Sequence, residues 1–350
     1  MLADLGADVV KLEATTGDAM RGGGSFFGCQ RGKRGLALDL KAPDARAALE
    51  AAIRWADVVH HNLRMPAARR LGLDADAVRA VNPDVVFCHT SSYGPTGPRA
   101  DWPGYDQLFQ AQCGWEVLGA GEGNPPMWHR FGFMDHQCAM SSALATVLAL
   151  YHRDRIGTGQ AVAASLLGAG VLTVSEIFKR SDGSLTPFPT LSSDQLTIDE
   201  GRRIVRMVDG WVMLAATEPD QLASLRGVQF EGRKVDDALA DLAAVGVPAE
   251  RVRLDNGRAF FESAANRAAG LVAEYDHVAW GHVVHPGALW WFDDQDVRLD
   301  RAVPELGEHT VECLTEFGLD EHTIEHLLES GAALQYADPQ DDALQDGGTT

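Results

Sequence analysis

The chain has 350 residues, 45% of them hydrophobic and 23% charged, with a formal net charge of −20. That composition fits a soluble globular protein with room for a large core and more than one domain. The charge excludes nucleic acid and an anionic membrane surface as natural partners. It is also uneven. Residues 1–80 hold 12 Lys and Arg against 10 Asp and Glu, so the other 270 carry −22. A polyphosphate ligand would favour the first segment. Five cysteines without a C-x-x-C pair point to a reducing compartment, the cytoplasm, and away from disulfides or zinc. The first residues show no signal-peptide pattern. The apolar run 143–151 is too short to span a bilayer.

In chain order, residues 1–6 read as a helix end closed by Gly6. Residues 8–13, DVVKLE, have the pattern of a buried parallel strand. The glycine run 22–24 lacks the Lys-Ser/Thr of a P-loop. Residues 29–41 read as a basic turn and then a strand. Residues 42–56 read as an amphipathic helix with Pro43 in its first turn. Residues 57–62 are the next strand. Strand, helix and strand at this spacing predict a βαβ unit and a parallel sheet with right-handed crossovers. Asn62 and Leu63 fall at a strand's carboxyl end, where open α/β sheets bind ligands. Arg64, Arg69 and Arg70 form a local cationic cluster, either a solvated face or a phosphate contact. Residues 85–93 are a third strand, and 94–98, GPTGP, a turn-rich loop. The G-x-G in loop 119–126 follows a helix, which excludes a dinucleotide fingerprint.

Residues 131–166 organise the chain. A glycine-bearing turn presents Asp135 at the start of a long apolar helix, where its carboxylate faces helix N–H groups. Asp135 is either a simple cap or an activated acid. A basic turn ends the helix, followed by Gly157-Thr-Gly-Gln160 and a strand-like run. Beyond Phe178 the sequence turns polar and reads as a linker. Residues 203–216 read as a β-hairpin around Asp209-Gly210, 220–245 as helices and 274–291 as strands. His277, His282 and His285 have a spacing that suits neither a helix face nor a zinc finger, so no metal is expected.

The set Asp135, Gly157, Gly159, Gln160, Val162 and Ser165 resembles the signature of the family III CoA-transferases, which include formyl-CoA and carnitine CoA-transferases. Other blocks agree with it: Gly17-Asp18-x-x-Arg21, residues 29–41, Asn62-Leu63 with Arg70-Leu71-Gly72, and Gly104-Tyr105-Asp106-x-x-x-Gln110-Ala111. Asp209-Gly210-Trp211 and Pro304-Glu-Leu-Gly-Glu-His309 extend the match, which spans residues 2–331 with gaps after the linker. The resemblance implies an α/β fold with a Rossmann-like open parallel sheet. Its large CoA-binding domain would comprise 1–180 and 259–332, joined through linker 181–199 to a small α+β domain at 200–258. A disordered acidic tail, 333–350, would follow. An intertwined homodimer is implied as well.

By the same resemblance, Asp135 is the catalytic nucleophile. Leu38, Lys41, Asn62, Leu63, Arg70, Leu71, Tyr105 and Asp106 contact CoA, with Leu63 in place of an aromatic. The substrates are an acyl-CoA and a carboxylic acid, without cofactor or metal. Two features depart from the family. A strand and most of a helix, roughly two dozen residues, are missing before residue 1, so the chain alone is expected to be unstable or inactive. The small domain also lacks the glycine run of a mobile lid. Two alternatives stay open: an inactive fragment or fold remnant, and an acyl-CoA racemase using an Asp and a His as paired bases. Racemases of this superfamily carry histidine where Tyr105 stands, and a phenol with an ordinary pKa of about 10 is a poor base.

Overall fold

The computed structural model of the chain describes residues 1–255 and 257–337. Most of the tail expected at 333–350, namely 338–350, lies outside the described residues. Ala333–Leu334, at its start, forms a short strand.

The described strands, in order, are β1 (Val10–Glu13), β2 (Arg34–Leu38), β3 (Val58–His61), β4 (Val86–Ser91), β5 (Ala161–Ser165), β6 (Arg202–Arg206), β7 (Trp211–Ala215), β8 (Ala249–Arg251), β9 (Val272–His277), β10 (Gly281–Pro286) and β11 (Ala333–Leu334). They make a mixed α/β fold. β1 and β2 pair in parallel, with Val10 opposite Arg34, and so do β3 and β4, with Val58 opposite Val86. Parallel pairing is therefore present, but β2 and β3, the two strands of the expected βαβ unit, lie in different three-stranded sheets, β1-β2-β11 and β3-β4-β5. β11 adds to β2 antiparallel. The other two sheets are the hairpin β9-β10 and the antiparallel set β6-β7-β8.

Two compact units divide the chain: residues 1–89, 142–163 and 258 onward, and residues 90–141 with 164–257. In the first unit, β2 is buried along its whole length. Helix Ala45–Trp55 explains how two cores form beside it. Its apolar residues recur at helical spacing. Ala45 and Ala48 join a cluster with Leu36, Leu38 and Leu314, while Leu49 and Ile53 join another with Val78, Val85 and Phe87. Full burial of each such leucine or isoleucine is worth about 1.5–3 kcal/mol. Arg34 is buried in β2 and survives there because Asp8, Glu312 and Glu316 surround its guanidinium. Those carboxylates hold it in the charged form.

In the second unit, β6 and β7 form the predicted hairpin, packed through Val212 and Leu214 against Val235, Ala238 and Leu242 of helix Val235–Ala244. Asp209, in the hairpin turn, accepts the Val235 N–H at 2.8 Å and so anchors that helix. A separate cluster of Phe109, Met134, Cys138, Leu166 and Ala169 sits under the start of the long helix Phe133–Ile156.

Two local expectations change. Residues 1–6 are turns, with Gly6 at φ +97°, not the end of a helix. Residues 24–30, which overlap the glycine run and the start of the stretch read as a basic turn, form a short helix that buries Phe26. No helix among the described residues is long and apolar enough to cross a membrane.

Candidate active site

Asp135 lies in the first turn of the helix Phe133–Ile156 and is exposed. Its neighbour is a second acid. Asp106, the first residue of helix Asp106–Gln112, is 2% exposed. Asp106 Oδ2 accepts the backbone N–H of Asp135 at 2.9 Å. Asp106 therefore does for the long helix what a capping side chain does: it satisfies one of the amide hydrogens left over at the N-terminus. The other oxygen, Oδ1, accepts a hydrogen bond from Gln110 Nε2, one turn further along. Gln110, fully buried, also donates to the carbonyl of Phe131 at 3.2 Å. One buried amide thus holds both the capping acid and the turn that leads into the helix.

Glycines make this arrangement possible at two points. A Cβ on Gly132 would stand 3.2 Å from Asp135 Oδ2 and 3.5 Å from Asp106 Oδ2, which places both carboxylates around one bare backbone position. A Cβ on Gly104 would come within 2.8 Å of Ser92 and 2.9 Å of the Phe109 ring. The Gly104 backbone can lie against Ser92 only without a side chain.

The electrostatics follow from that geometry. Desolvation raises the pKa of the Asp135 carboxyl above the ordinary carboxylate value, and the Asp106 charge raises it further. His136 opposes both. Its ring stacks on Phe131 at 4.9 Å between centroids, 15° from parallel. The histidine directly after the acid is therefore held against an aromatic face. A carboxylate that is accessible, more basic than usual and fixed at a helix N-terminus can act as a nucleophile or a base. Tyr105, the residue before Asp106 and the N-cap of its helix, is 74% exposed.

The other CoA candidates lie in the first unit. Leu38 ends β2 with no exposed surface, so a ligand could meet only its backbone. Lys41 is exposed just beyond, its N–H on Asp39 Oδ1 at 3.0 Å. Asn62 is exposed immediately after β3. Leu63 is half-buried, its N–H on His61 Nδ1 at 3.2 Å and its carbonyl within 3.0 Å of His89 Nε2. Arg70 is exposed in the last turn of helix Met65–Leu71, next to half-buried Leu71. Leu40, Leu63 and Leu71 pack on one hydrophobic cluster. That packing gathers the ends of β2 and β3 and the helix after β3. Lys41, Arg64 and Arg70, each adjacent in sequence to one of these leucines, are exposed cations. Sequence reasoning missed Gln110 as the residue tying Asp106 to Phe131, although its i+4 spacing from Asp106 on a helix carried the signal.

His277, His282 and His285 are each engaged elsewhere: His277 with Phe27 and Trp280, His282 with Asp276 and Glu274, and His285 with Arg31.

The sequence profile of CoA-transferase family III matches residues 1–229 and 227–310. An acyl-CoA transferase of Fusarium pseudograminearum is 27% identical, over 95% of this chain and 83% of its own length. A succinate–glutarate CoA-transferase of Agrobacterium fabrum is 30% identical over 68% of this chain and 63% of its own length. A solved CAIB/BAIF family protein from Brucella suis superposes with a TM-score of 0.75, covering 90% of this chain and 93% of its own, at 24% identity. That likeness bears on the fold.

Proposed function

The chain belongs to CoA-transferase family III, and on that premise we propose that it moves coenzyme A from an acyl-CoA thioester to a carboxylic acid through Asp135. The observation that carries this reading is the coupled pair of acids at the head of the helix Phe133–Ile156. Asp106 is buried and bonded to the Asp135 amide, while the Asp135 carboxyl is accessible with a raised pKa.

In the proposed reaction an Asp135 carboxylate oxygen attacks the thioester carbonyl carbon. The C–S bond breaks, CoA leaves as the thiolate, and a mixed anhydride remains on the aspartate. The thiolate then attacks the aspartyl carbon and releases the donor acid. The acceptor acid enters by the same two steps in reverse. A carboxylate is a weak nucleophile in water. Fixed position beside the thioester supplies the advantage, and proximity to Asp106 makes Asp135 more basic. Lys41, Asn62, Leu63, Arg70 and Leu71 bind CoA in this reading, with Tyr105 near the reacting end. We also infer a homodimer. Its support is an apolar row on the long helix, Met140, Leu144, Val147, Leu148 and Tyr151, all exposed.

The experiment is chemical trapping. The protein is incubated with succinyl-CoA and hydroxylamine, and modified residues are mapped by mass spectrometry. A hydroxamate on Asp135 is expected, together with loss of transferase activity in Asp135→Asn. An active preparation that is modified elsewhere, or an active Asp135→Asn variant, would overturn the assignment.

A further inference from the structure

Lys33 has no place in the transfer chemistry above, and its surroundings set it apart. It stands one residue before β2, half-buried, with its Nζ donating to Gln30 Oε1 at 2.7 Å. Gln30 ends the short helix 24–30 and is neutral, so this bond supplies no counter-charge. Lys33 forms no ion pair with any described residue. Asp4 and Asp18 pull on it from a distance. Both are committed elsewhere: Asp18 Oδ2 accepts from Lys11 Nζ at 2.9 Å, and Asp4 Oδ2 from Arg31 Nη2 at 3.1 Å.

The sheet register explains why the amine is unusual. Lys11 of β1 lies opposite Gly35 of β2. Side chains alternate along a strand, so Lys33, two residues before Gly35, shares a face with Lys11, whose charge reaches it. That face is covered. Lys11 Nζ lies over the Phe26 ring at 5.5 Å, and a Cβ on Gly35 would stand 2.8 Å from the Glu305 carbonyl oxygen and 3.1 Å from Pro304. Desolvation, with the Lys11 charge, pushes the Lys33 pKa down to about 8, against the pull of Cys29, Asp4 and Asp18. Desolvation beside a second cation is one way a lysine becomes a nucleophile. At neutral pH about a tenth of it is free amine, against less than about a thousandth for a lysine of ordinary pKa.

We propose that Lys33 is a modification site that takes an acyl group directly from an acyl-CoA thioester. The Nζ lone pair attacks the thioester carbonyl carbon, the C–S bond breaks, CoA leaves as the thiolate, and the nitrogen gives up its proton. The products are an amide on Lys33 and free CoA thiol. From the transfer reading the proposal takes only that acyl-CoA meets this protein; Asp135 has no part in the step.

The test incubates the intact chain and its Asp135→Asn variant with acetyl-CoA across a series of pH values and follows acetylation of each lysine by peptide mass spectrometry. Near neutral pH, Lys33 should react at least about fivefold faster than Lys41, Lys179 and Lys234 in both proteins. Its rate should be half-maximal near its pKa of about 8 and then level off, while the other three still climb. Lys33 reacting no faster than those three, or a rate that never levels, would overturn the proposal. So would label on Lys33 that vanishes in Asp135→Asn, because the aspartate would then be the donor. Hydroxamate at Asp135 is scored separately, so either assignment can fail while the other stands.

Discussion

At the residue scale, Asp106 acts on Asp135 in two separable ways. Its Oδ2 accepts the Asp135 amide and fixes where the helix begins; its charge raises the Asp135 pKa. Asn in its place keeps an acceptor for the amide and removes the charge. The sign is then determined. Asp135 must be ionised to attack, so activity falls as pH drops through its pKa, and a raised pKa puts that acid limb above the ordinary Asp value of about 3.9. In Asp106→Asn the limb moves to lower pH. The less basic carboxylate is also a poorer nucleophile, so kcat at neutral pH should fall, by roughly a hundredfold at most. A pH profile of kcat/KM for both proteins checks this. An unmoved acid limb would show that the Asp106 charge does not reach the reacting group. Asp135 was legible in the sequence because fixed glycines and a long apolar run surround it. Its dependence on Asp106 was not, because 29 residues of loop and helix separate the two.

At the scale of elements, the strand–helix–strand order of residues 29–62 was legible from periodicity, and β2, helix Ala45–Trp55 and β3 follow it to within a few residues, but the two strands belong to different sheets, which periodicity does not determine. What periodicity could not show is how the end of β3 is wired. His61 Nε2 lies 2.7 Å from the Leu73 carbonyl, while its Nδ1 accepts the Leu63 N–H. The neutral ring therefore donates from Nε2 and receives at Nδ1, joining the strand end to Leu63 and Leu73, which flank the helix Met65–Leu71. Protonation of Nδ1 breaks the Leu63 bond. Burial pushes the His61 pKa down to about 4. A folded pKa below the unfolded value of about 6.5 means that the unfolded chain binds the proton more readily. This contribution to stability is whole above pH 6.5 and is lost as pH falls toward 4, by up to about 3 kcal/mol before allowing for partial solvent access. Urea midpoints should drop between pH 7 and pH 5, and the drop should be smaller in His61→Asn. An identical drop in the variant would assign it to other groups. Because the folded ring takes up its proton only near pH 4, the Leu63 bond persists in the folded protein between pH 7 and pH 5, and CoA affinity, with Leu63 among the proposed contacts, should weaken only as pH approaches 4.

Across the whole molecule, the interleaving of segments is the feature least open to sequence reading. Residues 90–141 cluster with 164–257, and 142–163 with the chain ends, so the long helix Phe133–Ile156 passes from one unit into the other. Local patterns fix elements; which segments share a unit depends on contacts far apart in sequence. The same helix shows a surface property that its apolar composition alone did not reveal. Met140, Leu144, Val147, Leu148 and Tyr151 are between 47% and 61% exposed. At 100° per residue they fall within about 100° of arc, one continuous stripe, and Asp135 points off the opposite side. An apolar stripe three turns long is a surface that calls for a cover. A second copy of the chain is the occupant inferred here. A closed pair related by a two-fold axis would lay stripe against stripe without leaving a further patch to polymerise. Light scattering on the purified chain should then give twice its 37.7 kDa mass. Leu144→Glu with Leu148→Glu places two carboxylates at the centre of the contact on each copy, which like-charge repulsion and desolvation should prevent from forming. That double variant should run as a monomer. Its intrinsic Asp135 site should keep its shape, because neither leucine belongs to the cluster of Phe109, Met134 and Cys138 beneath it. A wild-type chain that stays monomeric at high concentration, or a double variant that remains dimeric, would place the contact elsewhere or remove it.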